Sequence, residues 1–210
     1  MRILAVFSHP IRESFTGQLL NGFVSGAEDA GHIVEIADLY AERFPPLLTA
    51  EDLVDQFASR PMAQEICREQ KRFERCDAIA LVFPIWWWTV PAMLKGWIER
   101  VFSAGWAYPI EEDPGSSLLG KRKGLVLSVA GGSAKMYEKY GTAETFRKQL
   151  EVGTFGYFGI DEVTTHIFHQ ARVTLAISAE DAARRALHIK TAYEIGRAFQ
   201  EFKSEYDRQL

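Results

Sequence analysis

Three short segments of the 210-residue chain carry side chains suited to holding a flat, phosphorylated ligand. The first segment combines hydroxyl and basic groups at Ser8, His9, Arg12, Ser14 and Thr16. At the start of a helix such groups complete a phosphate cradle, because helix N-termini present unpaired backbone N–H groups to anions. Ser14 could equally be a simple helix cap and His9 a turn residue. The segment contains neither a GxGxxG nor a Walker A motif, which disfavours a conventional dinucleotide or nucleoside triphosphate site.

The second segment is a turn rich in aromatic residues: Pro84, Ile85, Trp86, Trp87 and Trp88. Tryptophan faces can stack on a conjugated ring, and backbone N–H groups of the turn can bond to its edge. Alternatively, the three tryptophans pack in the core or between subunits. Side chains alternate in direction after a strand, so at least one of them should point into the core. Trp97 falls on an apolar helical stripe that is typical of core residues.

The third segment, Gly131 and Gly132, precedes Tyr137. Glycine has no Cβ, so it lets the backbone approach a ligand closely, although a plain turn after a strand uses the same pair. Tyr137 could donate a hydrogen bond to a substrate oxygen or be an ordinary residue at the start of a helix.

Short apolar runs alternate with segments of helical period, and together they must position these three segments. The predicted strands are Ile3 to Ser8, His32 to Ala37, Ala78 to Phe83, Gly124 to Val129 and Val163 to Phe168. The predicted helices are Ser14 to Ala30, Met62 to Phe73, a stretch after Pro91, Tyr137 to Gln149 and a long C-terminal helix from Ala179 to Tyr206.

This alternation predicts an α/β fold, a flavodoxin-like three-layer sandwich in a single domain spanning 1–210, with Glu111 to Ser117 as a loop. Its parallel sheet has five strands in the order 2-1-3-4-5, with helices on both faces. Ligands of such sheets bind at the carboxyl ends of the strands, so the three segments should meet at one edge.

Composition excludes several other classes. The net charge of −4, without a basic stripe, disfavours nucleic acid as a partner. The spacing of Cys67 and Cys76 favours neither a disulfide nor zinc, and a reduced, cytoplasmic chain is expected. His166 and His169 should lie on opposite faces of the last strand, so no metal site is predicted.

The run from Phe83 to Phe102, followed by 105–108, resembles the signature of the NAD(P)H:quinone oxidoreductases. These flavodoxin-like flavoproteins include reductases of the modulator-of-drug-activity-B type and ancillary subunits of potassium efflux systems. The pair His9-Pro10, the triplet Asp38-Leu39-Tyr40 and the Gly131-Gly132-Ser133 loop fall in the family's order.

The resemblance implies a flavin-dependent enzyme that transfers hydride from NAD(P)H through flavin N5 to a quinone or similar flat electrophile, in a two-electron ping-pong reaction. FAD is the favoured flavin. FMN is the alternative, because the segment from Tyr40 to Met62 is short and leaves the adenine half of an FAD less protein to contact. Implied flavin contacts are His9, Ser14, Phe15, Thr16, Pro84, Ile85, Trp86, Trp87, Trp88, Gly131, Gly132 and Tyr137. The implied substrate pocket comprises Trp88, Tyr108, Tyr137 and Tyr157, and the implied catalytic positions are Tyr137 and Gly132.

The resemblance also implies a homodimer in which Tyr108 and Tyr157 come from the second subunit and Trp106 lies at the edge of the pocket. Animal relatives carry a histidine at the position of Ala143, which leaves water or Tyr137 as the proton source. An alternative function is a flavin-binding regulatory module that docks on a membrane transporter through 106–109 and the C-terminal helix.

Overall fold

The computed structural model describes residues 1–58, 60–110, 118–119, 122–171 and 177–201. Its parallel sheet has the strand order β2-β1-β3-β4-β5, which confirms the predicted flavodoxin-like topology. The strands are β1 (Arg2–Phe7), β2 (Ile33–Asp38), β3 (Ala78–Pro84), β4 (Lys123–Val129) and β5 (Glu162–Phe168). Each bound lies within one residue of the prediction from the sequence.

Continuous apolar runs explain why β1, β3 and β4 lie in the middle of the sheet. Every residue of β3 is buried, and so are all residues of β1 and β4 except the first of each. Because successive side chains point to opposite faces, each strand contributes to two separate cores. Leu4 and Val6 of β1 belong to one core, and Ile3 and Ala5 belong to the other.

Helices cover both faces of the sheet. On one face, α1 (Phe15–Asp29) packs with α7 (Ala179–Arg197). On the other face lie α3 (Gln64–Glu74), α4 (Ala92–Val101) and α6 (Thr142–Leu150). The shorter helices are α2 (Ala50–Phe57) and α5 (Ala134–Lys139). No helix within the described ranges is both long and apolar enough to cross a membrane.

Several helix predictions differ from the structure. The single helix predicted from Tyr137 to Gln149 is two helices, α5 and α6, because Gly141 adopts a left-handed conformation (φ 63°) between them. The C-terminal α-helix ends at Arg197, before a 3-10 turn. The prediction of α-helix is therefore wrong for 198–201, and its remainder, 202–206, lies outside the described residues, as does the predicted loop from Glu111 to Ser117.

Helix α2 was not predicted, although its start carries a recognisable signal. Thr49 and Asp52 form a capping box, in which the Thr49 hydroxyl accepts from the Asp52 N–H and the Asp52 carboxylate accepts from the Thr49 N–H. Leu53, Val54 and Phe57 recur at helical spacing and are a second signal, but this apolar side of the helix is exposed rather than packed in the core.

Trp97 and Trp106 both lie on the α3 side of the sheet. Trp97 is fully buried, as predicted, and its indole N–H donates to the Glu69 carboxylate at 3.1 Å. Trp106, expected at the pocket edge, donates to Glu74 at 2.9 Å and packs its ring 5.6 Å from that of Phe73. These contacts fix Trp106 against α3.

A buried ion pair joins α2 to α4. The Arg100 guanidinium binds both carboxylate oxygens of Asp52, at 2.9 and 3.0 Å, and it also reaches Glu65 at 3.0 Å and the Pro45 carbonyl at 2.7 Å. Burial alone would raise the pKa of Asp52, but the hydrogen bonds from Arg100 and Thr49 outweigh it and hold the pKa below its ordinary value.

We predict that Arg100→Met lowers the free energy of unfolding at pH 7 by about 3–5 kcal/mol, because it leaves the Asp52 charge buried without its partner. The loss should shrink as the pH falls, beginning where Asp52 of the variant becomes protonated and ending below the lowered pKa of Asp52 in the wild type. Urea unfolding across this pH range measures it. Lys95→Ala, which removes only the exposed pair of Lys95 with Glu99, is the control and should cost under about 0.5 kcal/mol. Equal losses for the two variants would contradict the prediction.

Candidate active site

The loop after β1 leads directly into the first turn of α1. Ser14 caps this helix, since its hydroxyl accepts from the Gly17 N–H at 3.2 Å. The His9 ring turns back on its own loop, with Nδ1 lying 2.9 Å from the Ile11 carbonyl oxygen and 3.0 Å from the Ile11 nitrogen. Burial lowers the pKa of His9, and the hydrogen bond to Ile11 offsets part of this effect. His9 is therefore a neutral group at the entrance of the loop at pH 7.

Ser8 is the exceptional residue of this loop. Its side chain is 0% exposed, and its hydroxyl oxygen has no hydrogen-bond partner among the described residues. A buried polar group without a partner is costly, so its presence points to a ligand that satisfies it. Thr16 is also buried, in the first turn of α1. Ser8, Thr16 and the N–H groups of the first turn of α1 are therefore the groups of this loop that could hold an anion.

Arg12 is held away from this site by its own contacts. Its guanidinium donates to the Asn21 side chain at 2.8 Å, pairs with Asp38 at 3.8 Å and lies over the Phe7 ring at 5.2 Å. A Cβ at Gly17 would lie 1.8 Å from the Arg12 carbonyl oxygen, so only glycine lets the loop fold this closely onto the helix. The contribution of Arg12 is therefore to shape the loop.

The turn after β3 is a tight hairpin. Trp86 and Thr89 exchange two backbone hydrogen bonds, at 3.1 and 3.2 Å. Between them, Trp87 (φ 50°) and Trp88 (φ 65°) both adopt left-handed conformations. The Ile85 N–H donates to the Val129 carbonyl at 2.8 Å and fixes the hairpin beside the end of β4.

None of the tryptophans of this hairpin is buried, so the prediction that at least one points into the core is wrong. Trp87 is 93% exposed, and Trp86 and Trp88 are 40% and 46% exposed. The alternation of an extended strand does not continue past Ile85, because the left-handed turn reverses the chain. Trp86 instead contacts His9 of the first loop, with ring centroids 5.9 Å apart.

The loop after β4 presents its two glycines differently. A Cβ at Gly131 would meet nothing within 4 Å, so this position faces open space. A Cβ at Gly132 would lie 2.2 Å from the end of Met136 and 3.2 Å from the Tyr137 ring. Gly131 is thus the position at which a flat ligand can lie against the backbone, and Gly132 is packed against Tyr137.

Tyr137 joins the second and third segments. Its ring lies 5.1 Å from Trp88 and 4.8 Å from His169, which follows β5. Burial raises the pKa of the Tyr137 phenol, so the hydroxyl keeps its proton at neutral pH and is a hydrogen-bond donor.

His169 lies beside Tyr137 at this edge, a placement that the sequence pattern does not predict, because its spacing from His166 bears only on metal binding. In the part of the chain that the structure describes, no group of His, Cys, Asp and Glu is arranged to hold a metal ion. The available signal was topological: β5 is the neighbour of β4, so a residue just after β5 lies beside the Gly131-Gly132 loop.

Tyr108 and Tyr157 form a second aromatic group. Their rings are 5.2 Å apart, and burial together with the neighbouring Tyr157 raises the pKa of Tyr108. Among the described residues, no ring contact joins this pair to Trp88 or Tyr137. One chain therefore presents two separate aromatic groups.

These features fit the flavin that the family resemblance implies. The unpartnered Ser8 hydroxyl and the start of α1 suit a phosphate, while the open backbone at Gly131, between the hairpin and Tyr137, suits a flat ring. The hairpin and the phosphate loop are in contact through His9 and Trp86, so one ligand can span both.

Comparison with known proteins agrees with this geometry. Residues 1–191 match the family described as having a flavodoxin-like fold. The ribosyldihydronicotinamide dehydrogenase (quinone) of Pongo abelii is 32% identical over 185 residues, which are 79% of this chain and 80% of that protein. An NAD(P)H:quinone oxidoreductase from Methanothermobacter marburgensis has a similar structure, with a TM-score of 0.84, 30% identity and coverage of 95% and 96% of the two chains. An FMN-dependent NADH-azoreductase from Bacillus anthracis, solved with FMN, shares the fold at 16% identity, with a TM-score of 0.72 and coverage of 95% and 99%.

We predict that Trp87→Gly is more stable than Trp87→Ala by about 1 kcal/mol, because glycine adopts a positive φ without the steric cost that other residues meet. In a right-handed backbone the alanine variant would be the more stable of the two. The sign of the stability difference therefore shows whether residue 87 adopts the left-handed conformation. Denaturant unfolding of both variants measures the difference, and the exposed ring is absent from both. Equal stability of the two variants would contradict the strained turn.

Proposed function

The chain belongs to the flavodoxin-like family of NAD(P)H:quinone oxidoreductases, and from that premise we propose that it is a flavin-dependent oxidoreductase that carries two electrons from NAD(P)H to a quinone or a similar flat electrophile. The observation that carries the proposal is the open backbone at Gly131, bordered by Trp88 and Tyr137 and connected to an anion site with an unpartnered hydroxyl.

The flavin phosphate is assigned to the start of α1. Ser8 and Thr16 offer hydroxyls there, and the first turn offers backbone N–H groups and the positive end of the helix dipole. His9, Ser14 and Phe15 shape this loop rather than neutralise charge. Of these, Ser14 is already engaged in capping the helix.

FAD is the proposed form of the flavin. The Arg185 guanidinium of α7 lies 5.4 Å from the centre of the Phe15 ring, which places a cationic residue beside the phosphate loop. A pyrophosphate carries more negative charge than the single phosphate of FMN and extends further from the helix. A cation on the α7 side of Phe15 therefore favours FAD, with FMN as the alternative.

The ring of the flavin is assigned to the edge formed by Pro84 to Trp88 and by Gly131 and Gly132. Backbone groups of the hairpin and of the glycine loop supply hydrogen bonds to the ring edge, and the Trp88 and Tyr137 rings border the substrate side. Bound there, the flavin supplies hydride transfer through N5. NAD(P)H and the acceptor use one pocket in turn, in a ping-pong sequence.

Reduction of a quinone by NAD(P)H consumes one proton from solvent, because hydride supplies only one of the two hydrogens of the hydroquinone. The Tyr137 phenol is the proposed donor to the acceptor oxygen, since its raised pKa keeps it protonated at neutral pH. Ala143 offers no ionisable group for this step.

The complete pocket is proposed to form in a homodimer. Tyr108 and Tyr157 contact each other but not Trp88 or Tyr137 of their own chain within the described residues. From a second copy of this chain, the same pair would cover the open side of Gly131. Each site would then use one aromatic group from each subunit.

The direct test of this function is to purify the full chain, release any bound cofactor with acid and identify it by mass, and then follow oxidation of NADPH and NADH with a small quinone. We expect a flavin at about one per chain and turnover that stops when it is removed. Absence of flavin after reconstitution with both FAD and FMN would overturn the proposal.

Ser8→Ala should move two measurements in opposite directions. The apoprotein should gain about 1 kcal/mol of unfolding free energy, because a buried hydroxyl without a partner is removed. Affinity for the flavin should fall about tenfold, because one hydrogen bond to the phosphate is lost. Urea unfolding and fluorescence titration with FMN and FAD measure the two effects.

Ser25→Ala, on the exposed part of α1, is the matched control and should change neither quantity. A Ser8→Ala protein that loses stability and keeps its flavin affinity would show that Ser8 has a structural role only.

A further inference from the structure

We propose that His169 is a positioning residue that holds the Tyr137 phenol in place from the β5 side, and that protonation of His169 disturbs this placement. The physical contact stands independently of any reaction. Its catalytic consequence rests on the proposed function, in which Tyr137 is the proton donor.

The Tyr137 ring is held between two other rings. Trp88 of the hairpin lies 5.1 Å from it at an interplanar angle of 51°, and His169 lies 4.8 Å from it at 71°. Tyr137 itself stands on α5, a six-residue helix that ends at a break before α6. Such a short helix fixes a side chain weakly, so the orientation of the phenol depends on its two ring neighbours.

His169 is itself rigidly placed. The His188 Nε2 atom lies 3.1 Å from its carbonyl oxygen, and the next residue, Gln170, adopts a left-handed conformation (φ 60°) while its N–H donates to the Gly132 carbonyl at 3.0 Å. These contacts fasten the end of β5 to α7 and to the glycine loop. A strained backbone held from both sides is typical of a residue whose placement matters.

The imidazole carries an unexplained polar atom. His169 Nδ1 is buried and has no hydrogen-bond partner among the described residues. An apolar or smaller side chain would fill this position without leaving a polar atom unsatisfied. The position therefore retains an ionisable ring against Tyr137 at a cost in stability.

The surroundings of His169 favour its neutral form. Burial lowers the pKa of His169 most, and Arg147 of α6 and His188 of α7 lower it further. The nearby Gly132 backbone and the charge of Glu138 on α5 act in the opposite direction. His169 is thus neutral at pH 7 and gains its charge below its ordinary value of about 6.5. The new cation then lies directly against the Tyr137 ring.

Ala143 has no ionisable side chain, and the histidine in ring contact with Tyr137 is the one at the end of β5. Neutral His169 holds the Tyr137 ring in this edge-to-face contact near neutral pH. Protonation in acid alters the contact and moves the ring from the position in which its phenol donates.

The test uses the purified full chain with tyrosine labelled with ¹³C at Cζ, followed by NMR between pH 5 and pH 8. Tyr137→Phe identifies the Tyr137 resonance. We expect this resonance to shift with a midpoint below about pH 6.5 in the wild-type protein, and the shift to be lost in His169→Gln. A shift that persists in His169→Gln, or that disappears only in His188→Gln, assigns the titration to another group and overturns the proposal.

His32→Gln is the matched control, because His32 is a buried histidine with a lowered pKa in contact with the N-terminal Met1. It should leave the Tyr137 shift unchanged. His169→Asn provides a second, smaller replacement should the glutamine variant fail to fold. A reciprocal measurement follows the titration of His169 with labelled histidine. The midpoint for His169 in Tyr137→Phe should differ from its midpoint in the wild type, and equal midpoints would count against the contact.

A kinetic measurement separates this inference from the proposed function. With a small quinone, kcat of the wild type should fall in acid with the same midpoint as the NMR shift, whereas kcat of His169→Gln should be about tenfold lower at pH 7 and independent of pH in this range. If the protein turns over no quinone, the proposed function fails and the NMR result alone decides the role of His169. An acid limb of kcat that is identical in the variant overturns the positioning role.

Discussion

The candidate site depends on hydrogen bonds that continue past the ends of the strands. The Ser8 N–H donates to Val82, the Ile85 N–H to Val129 and the Ala130 N–H to Phe168, so each loop begins while still attached to the neighbouring strand. This in-register pairing brings three loops to one level at the edge of the sheet. Without it, the anion site, the hairpin and the glycine loop would be unrelated surface features.

Strands and their order were predictable because apolar runs of β-branched residues separated by helical segments admit few arrangements. The edge at which residues such as Ser8, Trp88 and Gly131 meet followed from that order. Conformations set by single residues did not follow: Gly141 divides a periodic helical segment, and Trp87 and Trp88 adopt a backbone that their type disfavours. A left-handed conformation of a bulky residue leaves no periodic pattern in the sequence. Its energetic cost is offset by contacts that the surrounding structure makes, and these are not visible locally.

Contacts between side chains on different elements could not be predicted from the local sequence pattern either. The contact of His169 with Tyr137 joins residues on different elements, and it depends on β4 and β5 being neighbours. The same holds for the pair of Asp52 and Arg100, in which α2 is secured by charge rather than by an apolar face. Long-range polar contacts of this kind need the topology first.

The tryptophan hairpin gives the protein an optical property. Trp87 is almost wholly exposed to water, while Trp97 of α4 is fully buried in the core. Their emission should therefore differ in colour, with the hairpin contributing the red side of the spectrum. A ligand that absorbs visible light and binds at the sheet edge would quench this long-wavelength emission because it lies nearby. The fluorescence of the hairpin would then report the fractional occupancy of the site.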